Sequence, residues 1–520
     1  MKSFSTKDII LYAPSVAEHK RITTYLAYTI QDFQTIQNSI LTSSPKLKRY
    51  VISVNKYNFF MLADMFNYLL EVLGLPKAGD LTNPLIFPIR NIVKNYIKIK
   101  KGILTYARRH NIRSRIREEG NFFPFLKKIQ KLASVEEENV LARILGIICN
   151  TAFVGPEVVH LDISNACNAN CLFCGCHSAL ISNYPWKSRH WNHARIVWPK
   201  FIEIVKDLYD LRAREHIAVC GEGDPSLHPQ IMDILRVLKE YQLGTALYSN
   251  FIVFSKLQLQ QMVDWGVDEI IVNISAGTPS TFSKIKPNQS EDVYNNLIDR
   301  LKALRRYQKE MKKNKLVTKI KQVINSLNYH ELIKMVEQCH YVEAQNLYIE
   351  LMHETGPQTR FLLLNPHQLE EFKMLLDKAK HLCNQYGIIL DRHIDVQLAG
   401  LAEDALQLQW TKNLYRERGC YVGWFFSRIY TNNSIGFCCF PRKIGAIQNY
   451  SFRSLWDSDH YNWARIKAKY FNPQDNFIFQ DNDLLITNRC NQCGNFNTNQ
   501  RYYEKLVHYD LLTEARDPYR

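Results

Sequence analysis

From Glu157 onward, short apolar runs rich in β-branched residues alternate with stretches whose apolar positions recur every three or four residues. The runs at Val158–Ile163, Ile217–Cys220, Thr245–Tyr248, Glu269–Ile274, Val317–Ile324 and Asn346–Leu351 predict strands. Between them, Pro199–Leu211, Gln230–Tyr241, Lys256–Trp265, Glu291–Met311 and Tyr329–Cys339 predict helices. A repeated β–α order implies an α/β fold, with a parallel sheet and right-handed crossovers. Six units fall short of a complete eightfold barrel, so an open or partial one is expected. A further helix is expected from about Asn365 to Gln385. Beyond Cys420 the chain is rich in aromatics, Asn and Cys, a composition suited to a small domain organised around a metal. Residues 1–150 read as mainly helical, from spacing such as Phe59, Leu62, Phe66, Leu69 and Leu70, with strand candidates at Ile9–Tyr12 and Tyr50–Val54. A turn-rich stretch from Pro76 to Pro88 marks an internal boundary there. The expected domains are 1–150, 151–365, a helical linker at 366–415, 416–500, and a tail at 501–520.

A chain of 520 residues exceeds one compact core. Its 46% hydrophobic and 22% charged residues are ordinary for a globular protein. The most apolar stretch, Val140 to Val154, is short and carries Arg143, which predicts a core helix and not a membrane span. Lys7 and Asp8 interrupt any signal-like region, so a cytoplasmic location is expected. The net charge of +16 is uneven: residues 1–150 hold 23 Lys and Arg against 11 Asp and Glu. The densest part, Arg90 to Lys131, is suited to anionic lipid, nucleic acid or an acidic substrate, and a solvated helix face explains it as well. Peripheral membrane contact stays open.

Thirteen cysteines in a long chain without a secretion signal point to metal ligands or buried thiols before disulfides. Four lie between Cys167 and Cys176 and five between Cys420 and Cys493, which suggests two metal sites. The first set contains Cys167-Asn-Ala-Asn-Cys171-Leu-Phe-Cys174, a C-x3-C-x2-C spacing just after the first strand. Three thiolates on a short loop can hold three irons of a [4Fe–4S] cube and leave the fourth open. Zinc sites favour paired C-x2-C units with four ligands, and a ferredoxin site needs a fourth cysteine that Cys176 is poorly spaced to supply.

This loop, with Phe173 before its third cysteine, resembles that of the radical S-adenosylmethionine (SAM) superfamily, and the resemblance extends over about 200 residues. It implies a partial (β/α)6 TIM-like barrel, SAM chelated at the open iron, and reductive cleavage to a 5′-deoxyadenosyl radical that abstracts hydrogen from a substrate. The electron would come from a partner such as a flavodoxin or ferredoxin. Gly221-Glu222-Gly223-Asp224-Pro225 looks like the family's glycine-rich turn beside SAM, with Asp224 where Glu is usual. Tyr248-Ser249-Asn250 and Ile274-Ser275-Ala276-Gly277-Thr278-Pro279 resemble the following SAM-facing strand ends. By that resemblance Gly221, Gly223, Asp224, Pro225, Ser249, Asn250 and Ser275 are the SAM-binding candidates; capping by Ser, Asn and Thr explains several of these residues equally.

The later cysteines resemble the SPASM/twitch extension of the same superfamily. Cys420 precedes an aromatic strand, and Gly436 precedes Cys438. Ile444-Gly445-Ala446-Ile447 is then followed by Ser454-Leu455-Trp456, Tyr461 through Arg465, and Cys490-Asn-Gln-Cys493. A full module carries more cysteines, enough for two clusters. The expectation here is one auxiliary [4Fe–4S] cluster on Cys420, Cys438, Cys490 and Cys493, with Cys439 as the alternative to Cys438, and zinc as the competing metal.

Cys220 and Cys176 are candidate hydrogen-atom donors to a substrate radical, although a buried cysteine more often serves as a small apolar residue. His353 and Glu354 end the sixth strand as candidate acid–base groups. The resemblance implies a peptide or natural product that is oxidised, cross-linked or epimerised, or a sugar or cyclitol that is dehydrogenated or epimerised. The competing class is a non-catalytic metal-cluster protein that binds nucleic acid through its basic N-terminal region, which the three-cysteine loop and the strand ends argue against.

Overall fold

The structure is a computed structural model that describes Lys128 and residues 131–516, with interruptions at 133–134, 151, 183, 185–186, 188–189, 400–408, 449 and 480–481. The strand candidates at Ile9–Tyr12 and Tyr50–Val54, the helical stretch Phe59–Leu70, the Pro76–Pro88 boundary and all but the end of the basic Arg90–Lys131 stretch lie outside the described residues.

Two compact units divide the chain, with Gly155–Thr498 forming the larger. It opens with the predicted alternation: β1 (Val158–Asp162), α1 (Trp198–Asp210), β2 (His216–Cys220), α2 (Ile231–Glu240), β3 (Thr245–Ser249), α3 (Lys256–Trp265), β4 (Glu269–Asn273), α4 (Pro279–Ile285), α5 (Glu291–Glu310), β5 (Val317–Ile324), α6 (Leu332–Tyr341), β6 (Asn346–Leu351) and α7 (Pro366–Tyr386). Local chemistry fixes the helix ends. Ser255 and Gln258 form a reciprocal capping box on α3, which stops at Gly266 in the left-handed conformation (φ 73°). Asn365 and Gln368 cap α7 in the same way, Pro366 occupies its first turn and Gly387 (φ 69°) ends it. In α2 the buried Ile231, Ile234, Leu235 and Leu238 follow the helical period and seal one face of the sheet.

β1 to β6 pair in sequence, all parallel. The sheet then exceeds the six strands expected. A two-residue β7 (Ile389–Leu390) adds in parallel to β6, and a short helix α8 (His393–Ala399) follows. After α9 (Leu414–Arg418) and α10 (Val422–Phe425), β8 (Phe426–Ile429) adds in parallel to the opposite edge, beside β1. β9 (Ser434–Gly436) and β10 (Lys443–Ala446) continue antiparallel. The result is one open ten-stranded sheet in the order β10-β9-β8-β1-β2-β3-β4-β5-β6-β7, a partial barrel that does not close. The segment after Cys420 is therefore built into the barrel sheet, and α11 (Phe452–Trp456) and α12 (Asp459–Tyr470) complete it. Trp456 and Tyr461 are fully buried, and the buried Arg465 lies over both rings at 4.2 and 4.3 Å while donating to the Gly423 carbonyl at 2.7 Å. The aromatic segments that resembled the family's extension thus brace this region.

The smaller unit includes helix Glu138–Cys149 and helix Leu512–Arg516. Within it the Glu136 carboxylate accepts from Lys505 Nζ at 2.5 Å and Tyr509 Oη at 3.1 Å. No helix among the described residues is long and apolar enough to cross a membrane.

Candidate functional site

The three-cysteine loop leaves the carboxyl end of β1, where ligands of α/β sheets collect. Its path is fixed by the adjoining strand ends. Asp224 N donates to the Ala166 carbonyl at 2.7 Å and Gly223 N to Ser164 O at 3.2 Å, which lays the glycine turn against the loop's base. A Cβ on Gly223 would stand 2.2 Å from Ala166 O, and one on Gly221 would stand 2.5 Å from Ser164 O. No side chain fits at either position. Farther along, Leu172 N donates to Ile285 O at 2.9 Å. The Asn288 and Gln289 amides hold the Asn168 carbonyl at 2.9 and 2.6 Å, and the Asn170 and Asn288 side chains exchange backbone hydrogen bonds.

The candidate SAM-binding residues knit this frame together. Asp224 accepts from Ser226 N, from the Ser249 hydroxyl at 2.8 Å and from Asn250 N at 2.7 Å. Asn250 Nδ2 donates to Asn168 Oδ1 at 2.7 Å, inside the cysteine loop. The Ser275 hydroxyl donates to Asn273 and accepts from Val323 N at 3.1 Å, with its backbone in the left-handed region (φ 58°). Pro225 opens a short 3-10 turn capped by Asp224, and Thr278 caps α4. The turn, the β3 end and the cysteine loop are thus brought together. The hydroxyls of Ser249 and Ser275 point at protein partners, which makes these residues frame-builders around the loop.

Cys174 Sγ accepts from Cys176 N at 3.3 Å and His177 N at 3.2 Å. Burial pushes the Cys171 thiol up to about 11 and the Cys167 thiol up to about 12, so both need a nearby cation to ionise. Iron supplies one. Lys286 supplies another, and sequence reading missed it: it is fully buried, donates from Nζ to the Asn273 carbonyl at 2.9 Å and sits close enough to Cys171 and Cys167 to act on their charge. A lone lysine in an ordinary helix-end sequence carries no local signal of such a place. The donor set fits a multi-iron cluster with one open corner.

Opposite the helix-sealed face, the sheet carries a row of polar, half-buried side chains: His160, Cys220, Tyr248, Asn273, Lys321, Tyr348 and Glu350. Asp162 joins them fully buried, with Arg428 from β8 donating to it from Nε at 3.0 Å and Nη2 at 2.6 Å. Cys220 Sγ donates to the other Asp162 oxygen at 3.5 Å. Cys176 shares this neighbourhood, with Glu222 and Arg428 acting on its charge, so both candidate donor thiols border the same acid–base cluster. Lys321 pairs with Glu350 at 2.8 Å. The His353 ring is tilted against Trp410 at 5.0 Å with Nδ1 buried and unbonded, while Glu354 turns outward to Arg360 at 3.0 Å. Glu222, part of the glycine turn but not among its candidate residues, accepts from Trp191 Nε1 at 3.0 Å; burial raises its carboxyl.

The later cysteines converge from three chain segments, at 420, 438–439 and 490–493. Cys420, Cys438, Cys439, Cys490 and Cys493 line one recess with Tyr415, Val422, Phe440, Arg442, Ala468, Phe471 and Leu485. Thr411 holds the closing pair: its hydroxyl donates to Cys490 O at 2.6 Å and accepts from Cys493 N at 3.3 Å. Gly419 (φ 78°) lets Cys420 enter, since a Cβ there would meet Lys469 O at 2.4 Å. Among the described residues no three His, Cys, Asp or Glu side chains converge on a point suited to a single ion. An iron–sulfur cube takes each thiolate at a different iron, so its ligands border a space.

Residues 161–337 match the family model of the Radical SAM superfamily. The tungsten-containing aldehyde ferredoxin oxidoreductase cofactor-modifying protein of Pyrococcus furiosus is 19% identical over 331 residues, which are 61% of this chain and 85% of that protein. Among solved structures, Streptococcus suis SuiB bound to S-adenosylmethionine aligns at 15% identity over 72% of this chain and 79% of that one, with a TM-score of 0.46. The enzyme anSMEcpe with bound AdoMet aligns at 13% identity over 69% and 98%, with a TM-score of 0.43. With the matched segment beginning in β1 and spanning the three-cysteine loop, the chain carries a radical SAM domain, of a family whose members use SAM and a [4Fe–4S] cluster.

Proposed function

We propose that this enzyme oxidises, cross-links or epimerises a peptide or peptide-derived natural product, held against the polar inner face of the barrel. When bound at Cys167, Cys171 and Cys174, the cluster and SAM supply a one-electron cleavage that yields a hydrogen-abstracting 5′-deoxyadenosyl radical. The chain's own residues do the rest. Asp224, Asn250 and Asn168 hold the loop in register with the strand ends, and Lys286 offsets the negative charge of the thiolates. The Asp162–Arg428 pair fixes Cys220 Sγ at the edge of the inner face, where that thiol can return a hydrogen atom. The observation that carries the reading is this face: hydrogen-bonding groups from β1 to β6 and β8 suit a substrate rich in amides and hydroxyls.

A small polar molecule is the second reading, favoured by the likeness to the Pyrococcus furiosus cofactor-modifying protein. We further propose that Cys420, Cys438, Cys490 and Cys493 hold one auxiliary [4Fe–4S] cluster, supported by five sulfurs around one recess. Four protein thiolates would leave no open iron, a constitution for electron transfer or structure.

Anaerobic reconstitution with dithionite and SAM should yield 5′-deoxyadenosine, and Cys167→Ala/Cys171→Ala/Cys174→Ala should reduce it to the no-enzyme background. That triple variant should retain about one cluster's iron; no iron would overturn the auxiliary site. Turnover with sugars and none with any peptide would overturn the peptide reading.

A further inference from the structure

The recess contains a cation that the ligand set does not explain. Arg442 lies in the turn between β9 and β10 and is 5% exposed. Backbone bonds lock that turn: Arg442 N donates to Phe440 O at 2.7 Å and Phe437 N to Arg442 O at 2.9 Å. Its guanidinium reaches sulfur on both sides, with Nη1 at 3.3 Å from Cys438 Sγ and Nη2 at 3.5 Å from Cys490 Sγ. Nη2 also donates to the Thr487 hydroxyl at 2.8 Å, and Phe440 covers the group at 5.4 Å. Among the described residues no carboxylate forms an ion pair with it. A buried charge without a counter-charge is strongly destabilising, and neutral thiols do not offset a guanidinium. Two thiolates at those sulfurs do, through charge-assisted hydrogen bonds.

Resting on the auxiliary-cluster reading above, we propose that Arg442 is the residue that sets this cluster's reduction potential: it donates to two ligand sulfurs, Cys438 and Cys490, and so favours the state carrying one more electron. Reduction of the cluster by an external one-electron donor adds a negative charge to the iron–sulfur core with no proton taken up. Hydrogen bonds to the sulfurs and a nearby positive charge both stabilise that added charge and raise the potential. The same contacts mark Cys438, not Cys439, as the ligand, because the guanidinium is aimed at the Cys438 sulfur.

The test uses the full-length chain carrying Cys167→Ala, Cys171→Ala and Cys174→Ala, so that only the recess binds iron, and measures the midpoint potential by dithionite titration followed by electron paramagnetic resonance. Arg442→Gln should lower the potential, and Arg442→Lys, which keeps the charge but spans fewer acceptors, should fall between Gln and Arg. Equal potentials at equal iron content would overturn the proposal. If the Gln variant assembles no cluster, the Lys and Arg proteins decide by the same comparison. A parent triple variant without iron would instead remove the auxiliary-cluster reading, and this inference with it.

Discussion

The two cysteine regions solve opposite problems. The first is a single loop of eight residues, Cys167 to Cys174, held from outside by polar contacts from the β2, β3 and α4 ends. The second gathers cysteines from three separated segments into an apolar recess with one arginine inside. A loop that donates three thiolates leaves an iron corner for a substrate-like ligand, and its frame must be accurate around that corner. On the auxiliary-cluster reading proposed above, a recess with four or five thiols would close the metal off, so it could be lined with aromatics and tuned by one cation. One is built to admit a ligand, and the other is built to exclude one.

What joins them is β8, whose partner in the sheet is β1. Arg428 of β8 and the fully buried Asp162 of β1 form the cross-strand link nearest both regions. The sharpest way to break the comparison is therefore Arg428→Met, which strands a buried carboxylate. It should cost about 3–5 kcal/mol of stability by chemical denaturation. The double variant Arg428→Met/Asp162→Leu should recover most of that. A single variant as stable as the parent would mean that the two regions are not coupled through this pair.

The sequence made the first region legible and left much of the second obscure. C-x3-C-x2-C is contiguous, and its spacing alone limits the chemistry. The β1–β6 alternation was equally readable, because α2 and its counterparts show a clean apolar stripe over strands of five to eight residues. β7, with two residues, is too short for any periodic signal. β8 pairs with β1 across more than 260 positions, a distance over which hydrophobic patterns carry no information about partnership. The buried Lys286 and the Arg428–Asp162 pair were invisible for the same reason: charged residues read as surface until the tertiary fold supplies their partners. Ser249, Asn250 and Ser275 stood out as polar strand ends, but sequence cannot show that their hydroxyls and amides are already spent on Asp224, Asn168 and Val323.

A finer separation comes from glycines. Gly223 and Gly419 each admit a cysteine segment past a backbone carbonyl that a Cβ would strike, at 2.2 Å from Ala166 O and 2.4 Å from Lys469 O. Each substitution to Ala should destabilise by about 1–3 kcal/mol, the ordinary scale of overpacking. Iron analysis of the reconstituted proteins should then divide the effects. Gly223→Ala should lose the first cluster's share and keep the recess iron, and Gly419→Ala should do the reverse. Parallel loss in both variants would show that the regions assemble as one.

The smallest expected effect concerns the inner face that lies between them. Burial, reinforced by Arg428 opposite it on β8, lowers His160 from 6.5 to about 3. The folded protein therefore holds this imidazole neutral while the unfolded chain protonates it below pH 6.5. The stability it contributes is fully present above pH 6.5 and is lost as pH falls towards 3, at about 1.4 kcal/mol per pH unit. His353 and His393 are lowered by burial in the same direction, so His160→Phe should flatten the acid limb without abolishing it. Denaturation at pH 6.5 and 5.5 should show the parent losing about 1 kcal/mol more than the variant over that interval. An equal loss in both would mean that His160 takes a proton in the folded state.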